Sequence, residues 1–477
     1  MKYNNLNIYK IILLKQFRSI NSLPVLMRIK SEIFRLPFNK INHWMVVLAI
    51  LVSNTTISAQ TAAPANSFFL HPYKKNAIFS NKSQVGFMLK VQSSLSDRQR
   101  GSIALEIKNI DGKSVYHDNI GVFINPQGSY SKELDFGRIG LMPGAYSLFL
   151  NMTTNAGSSI GTFSFLVDPD KVAINQNRPA DFNSFWEEAV KELYTINPNY
   201  QYKKRSDLSN SGWEVYEVSF QSLDNITIKS YLSIPNKKGH FPVTCMFCDY
   251  LTELKPQYEK ERAVMSVNVR GVGLSKGIYK TDFSQYLNLD ENNRKKFIYR
   301  GVYMDGYRSV DFLFKFATSL GLDSSKILLK GVGQGAGLCA AIGVLLPKAK
   351  GIIMERPLFV DVRSLIANAE STKVSNFPAN AMMAYYNSHI YGMNKEVFLK
   401  NWEYFDPINF APYISCPILY GFTYKSNQTP SICNHSFIGQ LRNGSEDILL
   451  CTECADEMDT KFYGFQNTWI NEVLNIP

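Results

Sequence analysis

A chain of 477 residues is long enough for two domains and a leader, and its 45% hydrophobic, 13% aromatic and 19% charged residues suit a soluble globular protein with a sizeable core. The net charge of +11 is concentrated at one end: residues 1–59 hold eight Lys/Arg against one acidic residue, or +7, leaving +4 elsewhere. Those remaining charges are scattered, which excludes a basic face for nucleic acid.

In chain order the first element is a leader, residues 1–59. Basic and polar residues up to Lys40 precede the apolar run Met45–Val52, and Ser58-Ala59-Gln60 make a small-residue exit. That order of features is the pattern of a secretory signal peptide, so the mature chain is expected to begin near Gln60 and to be exported, to the periplasm or beyond. The apolar run is short for a bilayer, which leaves a membrane anchor as the lesser alternative. No cysteine follows the exit, which argues against a lipid anchor. Initiation at Met27 would give a leader of more ordinary length.

Residues 60–168 read as all-β. Val85–Val91, Ser102–Lys108, Tyr146–Met152 and Thr162–Val167 are alternating or apolar runs of strand length. Asp111-Gly112, Asn125-Pro126, Pro143-Gly144 and Asn155-Ala156-Gly157 separate them as turns. Short strands at this spacing predict an immunoglobulin-like sandwich. It carries no catalytic constellation, so it is expected to serve as a spacer or packing module, with a glycan-binding module as the alternative.

Val167–Val172 is the joint to a second domain, 169–477. Asp181 is a candidate N-cap for a helix over Trp186–Leu193, with Phe182, Phe185, Trp186 and Val190 on one apolar face. Strands are expected at Trp213–Phe220, Ile226–Ile234, Val243–Phe247 and Ala263–Val269. Helix Val302–Leu320, strand Ile327–Leu329, helix Gly335–Leu346 and strand Gly351–Met354 follow, and Pro417–Gly421 and Asp447–Cys451 are the last strands. Strands alternating with helices predict an α/β domain with a mostly parallel sheet covered on both faces.

Seven cysteines, Cys245, Cys248, Cys339, Cys416, Cys433, Cys451 and Cys454, lie in the second half. Cys245 and Cys248 sit three apart in a strand-like run, where side chains diverge, so zinc is not expected. Disulfides and buried thiols both remain open from spacing, and no cofactor is implied.

The stretch Lys326–Gly337 reads as a buried strand, a glycine-rich sharp turn and the start of an apolar helix. In α/β-hydrolases this unit is the nucleophile elbow, G-x-S-x-G, with serine at its tip. Here the tip is Gly331-Val332-Gly333-Gln334-Gly335, and glycine brings no oxygen. Gly333 also relieves the backbone strain, about 1–3 kcal/mol, that a side chain at such a tip carries.

Further motifs around this elbow make residues 170–477 resemble the acetyl xylan esterase / cephalosporin-C deacetylase family of carbohydrate esterases. Arg178-Pro-Ala-Asp-Phe-Asn-Ser-Phe-Trp186 looks like its opening helix signature. Tyr299-Arg-Gly-Val-Tyr-Met-Asp305 with Arg308-Ser-Val-Asp-Phe312 is similar to the helix before its elbow strand. Phe405-Asp406-Pro-Ile-Asn409-Phe-Ala411-Pro412 and Cys416-Pro417 match the approach to the strand carrying its acid.

Each functional motif implied by that resemblance is altered. The family's Arg-Gly-Gln is Arg270-Gly271-Val272. The nucleophile falls on Gly333, the acid on Lys425 (beside Tyr424) and the base on Asp456, followed by Glu457. The family's oxyanion-hole tyrosine aligns with Tyr250 in Cys248-Asp249-Tyr250, without the His-Gly that usually precedes it, and the backbone N–H of Gln334 supplies the second donor. A hole built on Tyr250 and Gln334 is thus expected to survive without nucleophile, acid or base. Losing a triad member leaves about 10³–10⁴-fold catalysis over water. His435 after Pro430 is the nearest substitute base, with an exposed or capping histidine as its bland reading, and Ser275 is an imaginable nucleophile. The resemblance therefore implies a pseudoenzyme that binds carbohydrate, an acylated glycan or a protein partner. An active deacetylase with a rearranged triad is the alternative, and the family's habit of homo-oligomerising extends to this chain as an expectation.

Overall fold

The computed structural model describes residues 66–277, 294–373, 376–388, 394–424, 426, 428–442, 444, 446–451 and 457–476. The leader, Lys425, Cys454 and Asp456 lie outside them. Ala65–Pro477 form one compact unit by contact.

Eight strands open it: β1 Asn66–Pro72, β2 Ile78–Phe79, β3 Gly86–Ser93, β4 Gln99–Asn109, β5 Ser114–Ile124, β6 Ser129–Asp135, β7 Gly144–Thr154 and β8 Gly157–Val167. They make one sheet in the order β1-β3-β6 and another in the order β2-β8-β7-β4-β5. Phe87, Leu89 and Val91 alternate along β3 into the space between sheets and are fully buried. There Phe87 packs edge-on to Phe79 at 5.5 Å and Phe165 at 5.4 Å. The sandwich is therefore present, with β1, β2, β5 and β6 beyond the four strands expected. β6 ends the smaller sheet and is polar along most of its length, whereas β5, at an edge of the larger sheet, is mostly exposed, with an apolar alternation (Ile120, Val122, Ile124) only towards its end.

The second half begins with α1 Phe182–Thr195. Phe182, Phe185, Trp186, Ala189 and Leu193 are its buried face, whereas Val190 is only half-buried. Asp181 occupies the N-cap position but its side chain does not cap; it accepts a hydrogen bond from the Tyr404 hydroxyl instead.

Nine strands follow: β9 Gln201–Lys204, β10 Trp213–Gln221, β11 Thr227–Pro235, β12 Phe241–Phe247, β13 Ala263–Asn268, β14 Leu322–Val332, β15 Gly351–Glu355, β16 Ile418–Thr423 and β17 Glu446–Cys451. They form one sheet in the order β17-β16-β15-β14-β12-β13-β11-β10-β9. β13, β12 and β14 to β17 run parallel, and β11, β10 and β9 add an antiparallel edge. Two helices flank the elbow, α2 Ile298–Phe316 and α3 Gln334–Leu345. α3 is apolar almost all round because it is buried almost all round. Four further helices are α4 Val362–Thr372, α5 Ala379–Asn387, α6 Lys395–Trp402 and α7 Ser431–Ile438, and α8 Thr460–Leu474 is the last. The sequence signals α7, as a helix after Pro430, and α8, as a helix-like stretch towards Pro477, but not α4, α5 or α6. No helix among the described residues is long and apolar enough to cross a membrane.

The two halves share a bonded seam. Asn76, held at φ 62°, donates to the Ile448 carbonyl and accepts from the Leu450 N–H at 3.2 Å. The Tyr424 hydroxyl donates to the Ser164 carbonyl at 2.8 Å, and its ring meets Phe163 edge-on.

Candidate active site

β14 stops at Val332, Gly333 turns at φ 56°, ψ −118°, and α3 starts at once on Gln334. The Gly333 N–H donates to the Glu355 carbonyl at 2.9 Å, and the Leu358 N–H donates to the Gly333 carbonyl at 3.0 Å, so the end of β15 and the segment after it hold the tip from one side. The turn is tight enough to demand glycine around its tip. A methyl group on Gly331 would lie 2.1 Å from the Gly335 carbonyl, and one on Gly335 would lie 2.2 Å from the Phe247 oxygen. The backbone is thus that of a nucleophile elbow, with only hydrogens at the place of the reactive side chain.

That place is filled from the neighbouring strand. β12 and β14 run parallel with Phe247 opposite Gly331, so two residues further on Asp249 comes alongside Gly333. A Cβ on Gly333 would stand 1.8 Å from Asp249 Oδ1 and 2.2 Å from its Cγ. The same Oδ1 accepts the Tyr250 N–H at 2.7 Å and the Gln334 N–H at 3.2 Å. Two backbone donors from different elements therefore converge on one carboxylate oxygen, and that oxygen belongs to the chain itself. The expected hole is a correction in this respect: its donors, on Tyr250 and Gln334, are together but engaged by Asp249. In the sequence nothing but its place before Tyr250, where the family has His-Gly, marks Asp249 as part of the site.

An aromatic wall rises beside it. Tyr250 stacks on Phe377 at 5.4 Å and meets Phe359 edge-on at 6.1 Å, and Phe359 in turn contacts Trp402 and Tyr299 at 5.6 and 5.7 Å. Arg356, Phe359 and Asp361 all have φ between 43° and 63°. Left-handed backbone at three non-glycine residues within six positions costs on the order of 1–3 kcal/mol each and persists only where surroundings impose it.

Residues 170–465 match the family model described as acetyl xylan esterase. The chain belongs to the acetyl xylan esterase family. Acetyl esterase Axe7A of Xylanibacter ruminicola is 21% identical over 280 residues, 55% of this chain and 60% of that protein, so the chain spans about three-fifths of that relative. Acetyl xylan esterase 1 from Thermoanaerobacterium sp. JW/SL YS485 superposes with a TM-score of 0.55 at 18% identity, covering 63% of this chain and 99% of that one. Acetyl xylan esterase from Paenibacillus sp. R4 gives 0.54 at 20% identity, covering 64% and 98%. At such identity these structures establish the α/β-hydrolase fold.

Several acetyl xylan esterase motifs prove architectural in this chain. Arg270 is fully buried and forks onto Asp305, its Nε 2.9 Å from Oδ2 and its Nη2 2.8 Å from Oδ1. The guanidinium lies against Gly301, where a Cβ would fall 2.0 Å from Nη1, which explains the glycine after Arg300. Asp406 accepts the N–H groups of Asp361, Val362 and Ile408 at 2.9, 2.7 and 3.1 Å and so anchors the start of α4.

The substitute residues do not gather at the elbow. Ser275 is buried with its Oγ accepting the Lys229 N–H at 2.7 Å and donating to the Lys229 carbonyl at 3.1 Å, a structural staple rather than a nucleophile. His435 is neither exposed nor a cap on a surface helix end. It is fully buried in α7, with Nδ1 3.0 Å from the Ser431 carbonyl and Nε2 3.2 Å from the Asn76 carbonyl, and burial pushes its pKa down to about 4. Glu457 is exposed. Lys425 and Asp456, the acid and base positions, lie outside the described residues. Cys245, Cys248, Cys339 and Cys433 are buried free thiols, and Cys451 is disulfide-bonded. Among the described residues no group of His, Cys, Asp or Glu is arranged for a metal.

Proposed function

We propose that the protein is an exported, non-hydrolytic member of the acetyl xylan esterase family that binds carbohydrate without cleaving its esters. The observation that carries this reading is the Asp249 carboxylate standing where the elbow's nucleophilic side chain belongs. Ester attack needs an oxygen or sulfur nucleophile at the tip with a base in reach. Gly333 offers none, and an acyl oxygen entering the hole meets a carboxylate oxygen already bonded to both donors. The leader pattern in residues 1–59 supports export.

A carbohydrate ligand is supported by a cleft of about 210 Å³ where β8 meets α4 and the residues leading into α5 and α7. Asn368, Asn376, Gln428, Thr162, Thr372 and Ser426 line it, and none of the lining residues among those described carries a charge. Amides and hydroxyls that both donate and accept suit a neutral polyhydroxyl ligand. The rearranged-triad reading needs a serine free to react, and Ser275 has both sides of its hydroxyl bonded to Lys229.

The test pairs turnover with binding. Purified protein is expected to hydrolyse p-nitrophenyl acetate no faster than buffer and to take no label from a fluorophosphonate probe. Titration with xylo-oligosaccharides, plain and acetylated, is expected to show binding. Turnover above background would restore the deacetylase reading, and a co-purifying protein with no glycan affinity would replace carbohydrate by a protein partner.

A further inference from the structure

The elbow holds a ligand of its own making. Asp249 Oδ1 sits on the two N–H groups that, in an acting esterase elbow, receive the oxygen of a bound acyl group, and its Cγ lies within 2.2 Å of the position of a side-chain Cβ on Gly333. Both losses are therefore linked in space: the glycine vacates a volume, and the acidic residue two positions beyond Phe247 moves into it. A serine at the tip would collide with the carboxylate, so the placement of Asp249 depends on glycine at 333.

We propose that Asp249 is an internal stopper of the elbow, a carboxylate ligand bound in cis that closes a monocarboxylate-binding site. This deepens the reading of the protein as non-hydrolytic and rests on it, since a catalytic elbow must keep the hole free for substrate. The chemistry selects the ligand class. Two convergent N–H donors at the start of a buried helix stabilise a negative oxygen more than a neutral one. The space that the Asp249 side chain fills beside Gly333 is that of a methylene and a carboxylate, the size of a small monocarboxylate. Acetate is the smallest ligand with both features, and acetamide is its neutral counterpart.

Tethering explains why the site is closed to outside anions. A carboxylate one covalent step from Tyr250 acts at an effective local concentration no dilute solute matches. Removing the carboxylate removes the competitor and leaves the backbone donors in place. Keeping an oxygen there without charge preserves the stopper.

The experiment compares parent, Asp249→Ala and Asp249→Asn proteins in titrations with acetate and with acetamide, followed by saturation-transfer NMR and calorimetry. Asp249→Ala is expected to bind acetate at least about tenfold more tightly than the parent, the worth of one hydrogen bond to a charged group. It should also prefer acetate over acetamide, while Asp249→Asn stays close to the parent because its amide oxygen still takes both N–H groups. Thermal melts of the three proteins establish that each is folded when titrated. A folded Asp249→Ala protein that binds acetate no better than the parent overturns the proposal, as does a parent that binds acetate equally well. Neither result depends on ester turnover, so the stopper can fail while the non-hydrolytic reading stands. Turnover by the parent would defeat that reading whatever acetate does.

Discussion

Restoring the missing serine is the most direct way to ask whether Asp249 fills its place. In Gly333→Ser the new Cβ would stand 1.8 Å from Asp249 Oδ1, so the carboxylate must swing away and release the Tyr250 and Gln334 N–H groups. Asp249 is half-buried, so those two bonds are worth about 1–2 kcal/mol together after solvent screening. A side chain at φ 56°, ψ −118° adds strain of about 1–3 kcal/mol. The single substitution is thus expected to cost about 2–5 kcal/mol in denaturant unfolding, and to create no esterase activity. Asp249→Ala alone forfeits the bonds without strain, about 1–2 kcal/mol. The double variant loses the bonds only once, so its cost should fall short of the sum of the singles by about 1–2 kcal/mol. Strict additivity, within about 0.5 kcal/mol, would mean that the two residues do not share this space, and would refute the reasoning.

Two other perturbations test the architecture around the elbow. His435 is held neutral by burial at about 4, below the ordinary imidazole value of about 6.5, so between those values the unfolded chain binds the extra proton. Its contribution is complete above about pH 6.5 and is lost as pH falls towards 4, about 3 kcal/mol in all. The difference in unfolding midpoint between parent and His435→Gln should therefore shrink across that window, and a difference independent of pH would contradict a neutral buried ring. Gly301→Ala places a methyl group 2.0 Å from Arg270 Nη1, and the guanidinium is pinned by Asp305. Helix propensity alone favours alanine by about 1 kcal/mol. Overpacking against a fixed charge is expected to reverse the sign and destabilise by about 1–3 kcal/mol, visible as a lower melting temperature.

Much of the candidate site was legible because its signals are local. The strand, turn and helix of Lys326–Gly337 follow from apolar runs on either side of closely spaced glycines, and β14 and α3 form where those runs lie. Strands buried on one or both faces carry an apolar pattern; the edge strand β6 is polar along most of its length, and α5, with no capping side chain and a weak apolar stripe, left no signature. Ser275 and His435 stand out in the sequence by residue type and by their place in the chain, not by their partners. Their hydrogen bonds run to Lys229 and Asn76, 46 and 359 positions away, and no spacing rule reports such partners.

By itself the sequence determined that the elbow tip is glycine, that an α/β order surrounds it, and that the motifs for nucleophile, acid and base are altered. Those properties belong to residue identity and to periods of a few positions. Only the tertiary structure decided what occupies the vacated tip. Asp249 lies 85 positions from Gln334 along the chain, and it arrives there because parallel pairing sets Phe247 against Gly331 and carries both strands two residues further to the same edge. Strand register converts that distance in sequence into a hydrogen bond, and that conversion is available only once the sheet has formed.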